Sequence, residues 1–411
     1  MVGDHGALLA DRQFQLILLA NLMPPLGTAL LSPVLDSLIG PLGATKANVG
    51  LLMSAYTAPA IVMIPIAGML ADRVGRRPVI VGGLLVFGSA GTLIALANSF
   101  RVALGLRFLQ GIGFAALTPI LITAIGDLYS GAREATAQGL RFTSSGLAQT
   151  AFPLASGVLV TVAWQYPFLL YALALPMAVL VALRFEEPAA IGEGEADARP
   201  LREQLGSLLG MVAHPRGAAI AVARGTPSIA WIGFLTYNSI VVADLIGGSA
   251  AQAGILAGLG SLTYATAASQ AGRLTDTYGR GAGPLSALTL ALAAGFVAVF
   301  LAPTLLVAGG GILFVGLGFG LLSSIYRSRI TEMAPERIRG SWVSFTEAVG
   351  RVAITATPIG MGAGVAVAAP SLGYPMAVRL VGVATGACVL AIGLGSILVI
   401  TLSGPIEVPS A

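Results

Sequence analysis

Residues 68–76 read Gly-Met-Leu-Ala-Asp-Arg-Val-Gly-Arg, and residues 272–280 read Gly-Arg-Leu-Thr-Asp-Thr-Tyr-Gly-Arg. Both stretches fit the pattern G-x-L-x-D-x-x-G-R, and they lie 204 residues apart in a chain of 411. Each copy connects one long apolar stretch to the next. Two similar membrane halves with a charged turn at the matching place predict a duplicated transporter.

The composition indicates that lipid covers most of the surface. Hydrophobic residues make up 56% of the chain and charged residues 10%, whereas a soluble domain carries about 25% charged residues. The formal net charge of +4 is too small to indicate a nucleic-acid partner. The single cysteine, Cys388, supplies neither an internal disulfide nor a metal cluster. We therefore expect no metal and no cofactor.

Twelve apolar segments follow when the chain is divided at charge clusters and at Pro, Gly and Asn turns. Each is near the length of about 20 residues with which a helix crosses a bilayer. Numbered as spans 1 to 12, they are 14–36, 48–71, 78–98, 101–126, 135–162, 166–184, 217–243, 251–274, 282–302, 304–330, 338–366 and 374–402. The sequence thus predicts an all-α membrane protein with twelve transmembrane helices in two pseudo-symmetric six-helix bundles. The bundles are 1–185 and 217–411, joined by a cytoplasmic linker at 186–216.

Arginines predict the orientation of the chain. They concentrate in alternate loops, at Arg12, Arg73, Arg76, Arg77, Arg133, Arg184, Arg199, Arg202, Arg216, Arg273, Arg280, Arg327, Arg329, Arg337 and Arg339. Because basic loops stay in the cytoplasm, we expect a multi-pass protein of the cell (inner) membrane with both termini cytoplasmic.

The duplication extends beyond the two charged turns. Residues 111–114 read Gly-Ile-Gly-Phe and residues 316–319 read Gly-Leu-Gly-Phe, at an offset of 205. At the same offset Asp127 corresponds to Glu332, and Pro153 corresponds to Pro358. Matches in constant register are hard to obtain without a duplication.

Three motifs resemble those of the major facilitator superfamily. Residues 68–77 resemble its signature loop, G-x-L-x-D-R-x-G-R-R, and residues 107–113 resemble its R-x-x-Q-G-x-G motif in span 4. Residues 335–340 resemble its P-x-x-x-R-G turn before span 11. The resemblance covers the whole chain and implies two bundles around a central cavity, working by alternating access as a monomer.

The signature loop predicts a conformational latch. Gly68 allows close helix approach, and Gly75 allows a tight reversal. Asp72 can meet the positive end of a neighbouring helix, which the resemblance places at span 11, and Asp127 can pair with Arg73 or Arg76. The predicted latch residues are Gly68, Asp72, Arg73, Gly75, Arg76, Asp127, Asp276 and Arg280. The alternative is a charged turn that serves topology only.

Ionisable residues inside a span usually face a cavity or a partner. Glu347 is the one acid that lies well inside a predicted span, whereas Asp36 lies near the end of span 1. Both are therefore candidates for proton coupling, with Glu347 first. A static ion pair with Arg351, four residues further along the same helix face, is the alternative role for Glu347. Arg141 and Arg224 are further intramembrane charges.

Polar side chains in the spans could line a substrate cavity. The candidates are Arg107, Gln110, Asn21, Arg351, Tyr237 and Asn238. Ordinary packing is the alternative role for each of them. The span-5 motif of the drug:proton antiporter branch, G-x-x-x-G-P-x-x-G-G, is matched by residues 148–157 only at Pro153 and Gly157.

A secondary transporter is the function that these observations favour. We expect proton-coupled efflux of a hydrophobic or amphiphilic small molecule, with uptake or exchange of a small metabolite or organic anion as the alternative. A non-transporting membrane sensor fits less well. An enzyme is not expected, because the sequence has no nucleophile elbow, Walker A loop or histidine cluster.

Overall fold

A computed structural model describes residues 8–187, 209–279, 281–333 and 339–404, and only the backbone of Ala132, Ala135 and Gly340. Every regular element within these ranges is helical. Most of the predicted linker, Arg280 of the second signature copy and residues 335–338 of the turn before span 11 lie outside the described residues.

The helices of the first part of the chain are α1 Arg12–Asn21, α2 Met23–Ala29, α3 Ile39–Leu42, α4 Leu51–Thr57, α5 Ala60–Val74, α6 Arg76–Leu93, α7 Phe100–Leu128, α8 Gly131–Val162, α9 Tyr166–Leu169 and α10 Ala174–Arg184. Those of the second part are α11 Pro215–Ile240, α12 Ala250–Tyr278, α13 Ala282–Leu301, α14 Leu305–Met333, α15 Arg339–Leu372 and α16 Tyr374–Leu402. Helix α11 continues into a π-helical turn, Val241–Ile246.

Ten helical segments in the described part of the chain are long and apolar enough to cross a bilayer. They correspond to predicted spans 2 to 7 and 9 to 12. Span 8 corresponds to α12, whose 29 residues extend about 43 Å as helix. Span 1 was predicted as one segment and is instead divided into α1 and α2, followed by turns at 30–35. The prediction of an all-α membrane fold is confirmed.

Two prolines explain the division of span 1. Helix α1 ends at Asn21, and Pro24 and Pro25 lie in the first turn of α2. A proline is tolerated in a first turn, because the N–H that it lacks has no helical partner there. The break in span 1 therefore lies directly before Pro24 and Pro25.

By packing, the chain divides into two compact units. The first contains Met1–Gly194, Leu235–Ala243 and Gly248–Gly258, and the second contains Glu195–Phe234, Asp244–Gly247 and Leu259–Ala411. The predicted bundle boundary at 186–216 stays a prediction.

Small residues let helix backbones approach closely inside each unit. In the first unit, a Cβ on Gly157 of α8 would lie 2.6 Å from the Ala250 carbonyl oxygen of α12. In the second, a Cβ on Gly295 of α13 would lie 2.6 Å from the Gly311 carbonyl oxygen of α14. Such contacts replace the hydrophobic effect as the force between helices in lipid.

The turn between α5 and α6 depends on a glycine and a distant glutamate. Gly75 has φ +94°, and the Glu187 carboxylate accepts the N–H groups of Arg76 and Arg77 at the start of α6, the latter at 2.8 Å. An anion at this position also complements the helix dipole. A Cβ on Gly75 would lie 2.7 Å from Glu187 Cδ. Gly279, the matching residue of the second copy, has φ +73° with no atom within 4 Å of such a Cβ.

These two glycines form a matched pair for a stability test. Both alanine substitutions incur backbone strain of about 1 kcal/mol or more, but only Gly75→Ala also displaces Glu187. We therefore expect Gly75→Ala to lower the unfolding temperature of the purified protein in detergent more than Gly279→Ala does. The extra loss should shrink when Glu187→Ala is added. If Gly75→Ala lowers the unfolding temperature by the same amount in the wild-type and Glu187→Ala backgrounds, the account is contradicted.

Candidate functional site

The signature loop holds its charges in a chain of ion pairs within the first unit. Arg76 Nη1 lies 2.5 Å from Asp72 Oδ1, and Arg76 Nε lies 3.0 Å from Asp127 Oδ2. The Asp127 side chain is 12% exposed, whereas that of Asp72 is 66% exposed. The structure therefore contains the Asp127–Arg76 pair, and Asp72 is an accessible carboxylate. Gly68 has no atom near its missing Cβ, and Arg73 is exposed.

In the second copy of the loop, Asp276 is exposed. Arg280 lies outside the described residues. Asp276 corresponds to Asp72 of the first copy, and Gly279 corresponds to Gly75.

A second polar group joins the start of α1 to the connection between α7 and α8. Asp11 caps α1 through the Gln13 N–H, at 2.9 Å, and accepts a hydrogen bond from the Tyr129 hydroxyl, at 2.8 Å. Burial raises the pKa of Tyr129 above its ordinary value, and the hydrogen bond to Asp11 acts in the same direction. Tyr129 therefore stays a donor, and this contact helps to fix the first unit at this end.

Arg107 lies in α7 with none of its surface exposed. Its Nε donates to the Leu52 carbonyl at 3.1 Å, Nη1 to Gln110 Oε1 at 2.7 Å and Nη2 to the Gly27 carbonyl at 2.7 Å. Its guanidinium carbon lies 4.3 Å from the centre of the Tyr56 ring. No carboxylate among the described residues pairs with it. Carbonyl dipoles and an aromatic face therefore hold the charge.

The Arg107 network joins predicted spans 1, 2, 4 and 6. Arg107 Nη1 also donates to the Tyr171 hydroxyl at 3.3 Å, and that hydroxyl donates to the Leu26 carbonyl at 3.3 Å. A Cβ on Gly27 would overlap the Tyr56 ring. Arg107 and Gln110, both predicted for the cavity, are thus fully buried in this network, and contact with substrate stays a prediction for them.

Asn21, another cavity candidate, joins the end of α1 to α8. It is 2% exposed, and its Nδ2 lies 3.0 Å from the Arg141 carbonyl, 3.0 Å from Ser144 Oγ and 2.7 Å from Ser145 Oγ. Its Oδ1 accepts from Arg141 Nη1 at 3.1 Å. The amide is therefore fully used within the protein.

Three further candidates lie in the first unit near the end of predicted span 1. Asn238 donates to Ser32 Oγ at 3.2 Å, and its Oδ1 is buried with no hydrogen-bond partner in the described chain. Tyr237 is 2% exposed. The Asp36 N–H donates to Ser239 Oγ at 3.1 Å. Asp36 therefore lies beside predicted span 7, at the end of span 1 as the sequence indicates.

The second unit contains a cluster of charges in which one member, Arg224, is buried. Glu347 Oε1 of α15 accepts from Arg224 Nη2 of α11 at 3.0 Å and lies 3.6 Å from Arg327 Nη2 of α14. The Arg224 side chain is 8% exposed, that of Glu347 37% and that of Arg327 60%. The sequence singled out Glu347 and Arg224 separately and proposed Arg351 as the partner of Glu347. Arg351 also acts electrostatically on this carboxylate, beside Arg224 and Arg327. The partners on other helices depend on packing that no local pattern encodes.

An aromatic group lies two turns after Arg224 on α11. The Trp231 ring stacks on Phe319 of α14 with centroids 5.1 Å apart and an angle of 8° between the planes. Tyr264 of α12 lies 5.0 Å from the Phe319 centroid. The second unit therefore offers charged and aromatic groups on the same helices.

Arg107 can be tested for a structural role. Lysine keeps the charge but presents one compact ammonium instead of a planar fork, so Arg107→Lys leaves buried carbonyls unpaired at about 1–3 kcal/mol each. We expect a lower unfolding temperature and a loss of transport that follows the loss of folded protein. A normal unfolding temperature with a raised KM for transport would instead identify Arg107 as a substrate contact.

Comparison with known proteins places these features in a family. The Major Facilitator Superfamily profile matches residues 17–358. The Bacillibactin exporter of Bacillus subtilis (strain 168) is 36% identical over 154 residues, 36% of this chain and 38% of the relative. The Multidrug transporter protein MdtP of the same strain is 27% identical over 216 residues, 52% of this chain and 39% of the relative. The chain thus spans about two fifths of the length of these curated relatives.

A solved structure has the same fold. The crystal structure of a bacterial homologue of the human lysosomal transporter Spinster superimposes with a TM-score of 0.81 at 18% identity, covering 97% of this chain and 98% of that one. At this identity the likeness concerns the fold alone. The family profile extends over most of the chain and agrees with the all-α membrane fold and the signature loop. The chain therefore belongs to the Major Facilitator Superfamily.

Proposed function

We propose that this protein exports a hydrophobic or amphiphilic small molecule by alternating access, driven by protons. The observation that carries the proposal is the Glu347 cluster, in which one carboxylate meets arginines from two other helices. The relative named Bacillibactin exporter supports the direction of transport, and the relative named Multidrug transporter protein MdtP supports the substrate class.

The proposed role of Glu347 follows from its partners. While Arg224 and Arg327 hold the carboxylate, a proton would have to compete with two positive charges. A rearrangement of α11, α14 and α15 that separates these groups would free the carboxylate to take up a proton. Return of the arginines would expel it. Glu347 is thereby a proton carrier whose loading depends on conformation, and Asp36 is the second candidate.

Aromatic groups of the second unit favour an amphiphilic substrate. Trp231, Phe319 and Tyr264 form a connected group of ring faces, and such faces bind flat apolar molecules and cations. The proposed cavity residues from the sequence are Asn21, Arg107, Gln110, Tyr237, Asn238 and Arg351. Of these, Asn21, Arg107 and Gln110 would reach a substrate only after their present hydrogen bonds open.

Transport of an organic anion is a second candidate function. Arg224 and Arg327 share the single carboxylate of Glu347, so these three side chains together carry an excess of positive charge. The anionic group of a substrate could take the place of the Glu347 carboxylate beside Arg224. The substrate and the Glu347 side chain would then compete for the same arginine.

The remaining proposals concern setting and assembly. We propose a monomer in the cell (inner) membrane, with both termini and the 186–216 linker in the cytoplasm. The arginine distribution supports this orientation. The proposed partners are a small-molecule substrate, protons and the lipid bilayer.

Substitution of Glu347 by glutamine tests proton coupling. Glutamine keeps the size of the side chain and removes titration, so proteoliposomes with an imposed pH gradient should accumulate a lipophilic cation at least tenfold more slowly, while gradient-free exchange survives. Glu332→Gln, at an exposed acid of α14, is the matched control and should leave accumulation unchanged. A panel of neutral drugs and organic anions in the same assay separates the two candidate substrates.

Two results would contradict the role of Glu347. Normal gradient-driven accumulation in Glu347→Gln would move the coupling role to Asp36. Loss of folded protein, restored by adding Arg224→Gln, would identify a static ion pair, because one removed partner leaves a buried charge uncompensated.

Substitution of Asp72 by asparagine tests the latch. Its pair with Arg76 is exposed, so it contributes little to stability, and the protein should stay folded. We expect transport to fall several-fold and a cysteine on the cytoplasmic side, in a Cys388→Ser background, to label faster because the closed state is rarer. Asp276→Asn is the matched change in the second copy and should have a smaller effect. Unchanged labelling and transport in Asp72→Asn would leave the loop with a topological role only.

A further inference from the structure

A pocket of about 200 Å³ lies in the second unit, where four helices begin or end. Among the described residues, its lining contains two arginines, Arg216 near the start of α11 and Arg329 near the end of α14, and no acidic residue. The other lining residues are Gly281, Ala282, Leu285, Ile397, Ile400, Thr401 and Ser403. We infer that this pocket binds the phosphate group of an anionic phospholipid.

The side chain of Arg216 has no described partner that would compete with an anion. Arg216 Nε is buried and has no hydrogen-bond partner in the described part of the chain, and Arg216 makes no ion pair there. An arginine fork matches two phosphate oxygens, which is the arrangement that arginine binds best. An arginine in the lining of a pocket, with one buried guanidinium nitrogen that no described acceptor satisfies, therefore indicates a missing acceptor.

The start of α13 adds a second source of positive potential. Ala282 is the first residue of this 20-residue helix, and no side chain caps it. The first N–H groups of a helix have no internal partner and carry the positive end of the helix dipole. Gly281 and Ala282 bring these groups to the same pocket as Arg216 and Arg329, which together favour a phosphate.

The apolar wall selects a lipid over a free ion. Leu285, Ile397 and Ile400 line the pocket beside the arginines, and they would contact glycerol and the first acyl carbons. The pocket lies at the helix ends that the arginine distribution assigns to the cytoplasmic face, where the leaflet is anionic. Basic pockets between transmembrane helices on that face are typical sites for anionic head groups.

Lipid titration of the purified full chain, followed by native mass spectrometry, tests this assignment. The probes are phosphatidylglycerol, phosphatidylcholine and inorganic phosphate. Wild-type protein should bind phosphatidylglycerol more tightly than phosphatidylcholine. Loss of one arginine should weaken phosphatidylglycerol binding about fivefold in Arg216→Gln, and loss of both about 30-fold in Arg216→Gln/Arg329→Gln. Arg273→Gln removes an exposed arginine of α12 outside the pocket and should bind as wild type does.

Arg216→Lys controls for misfolding, since it keeps the charge but not the fork, and its affinity should lie between those of wild type and Arg216→Gln. Equal phosphatidylglycerol affinity in wild type and the double variant would overturn the assignment. A second result would also overturn it: millimolar inorganic phosphate displaces the lipid, and wild type binds that phosphate whereas the double variant does not. The pocket would then be a site for free phosphate.

Discussion

The interior of a membrane protein provides no water to a buried charge, so every donor of an intramembrane arginine needs a partner from the chain itself. Arg107 meets this constraint with carbonyls of two neighbouring segments, one amide, one hydroxyl and an aromatic face. The positions of α2, α4, α7 and the segment with Tyr171 are thereby mutually dependent. The first unit is organised around this one guanidinium.

The second unit meets the same constraint differently and only in part, since Arg224 Nε is buried with no hydrogen-bond partner among the described residues. Its buried arginine, Arg224, pairs with a carboxylate, and a carboxylate can gain a proton and release its partner. A guanidinium bonded to carbonyls has no such option, since neither side titrates in the physiological range. The two units therefore differ in chemistry: Arg107 is held by groups that do not titrate, whereas Arg224 is held by a carboxylate, which under the proposed mechanism a proton would release.

Much of the fold could be predicted from the sequence, because long apolar segments and the repeated loop are local signals. The signature loop also predicted a partner for Asp127, either Arg73 or Arg76, and the structure contains the pair with Arg76. The contact of Glu187 with the first signature loop did not follow from local signals, since it joins positions 111 residues apart through an acid that reads as part of a solvated linker. Glu347 was identified by its depth in a span, but its partner Arg224 lies 123 residues away and could be paired with it only in three dimensions.

The contrast between Gly75 and Gly279 bears on how the two halves diverged after duplication. Gly75 is required twice, by its backbone conformation and by the carboxylate against it, whereas Gly279 meets only the first requirement in the described structure. Asparagine tolerates a left-handed conformation. A change from glycine to asparagine is therefore tolerated more easily at position 279 than at position 75. We therefore expect the second copy of the signature loop to lose its glycine sooner than the first copy during evolution.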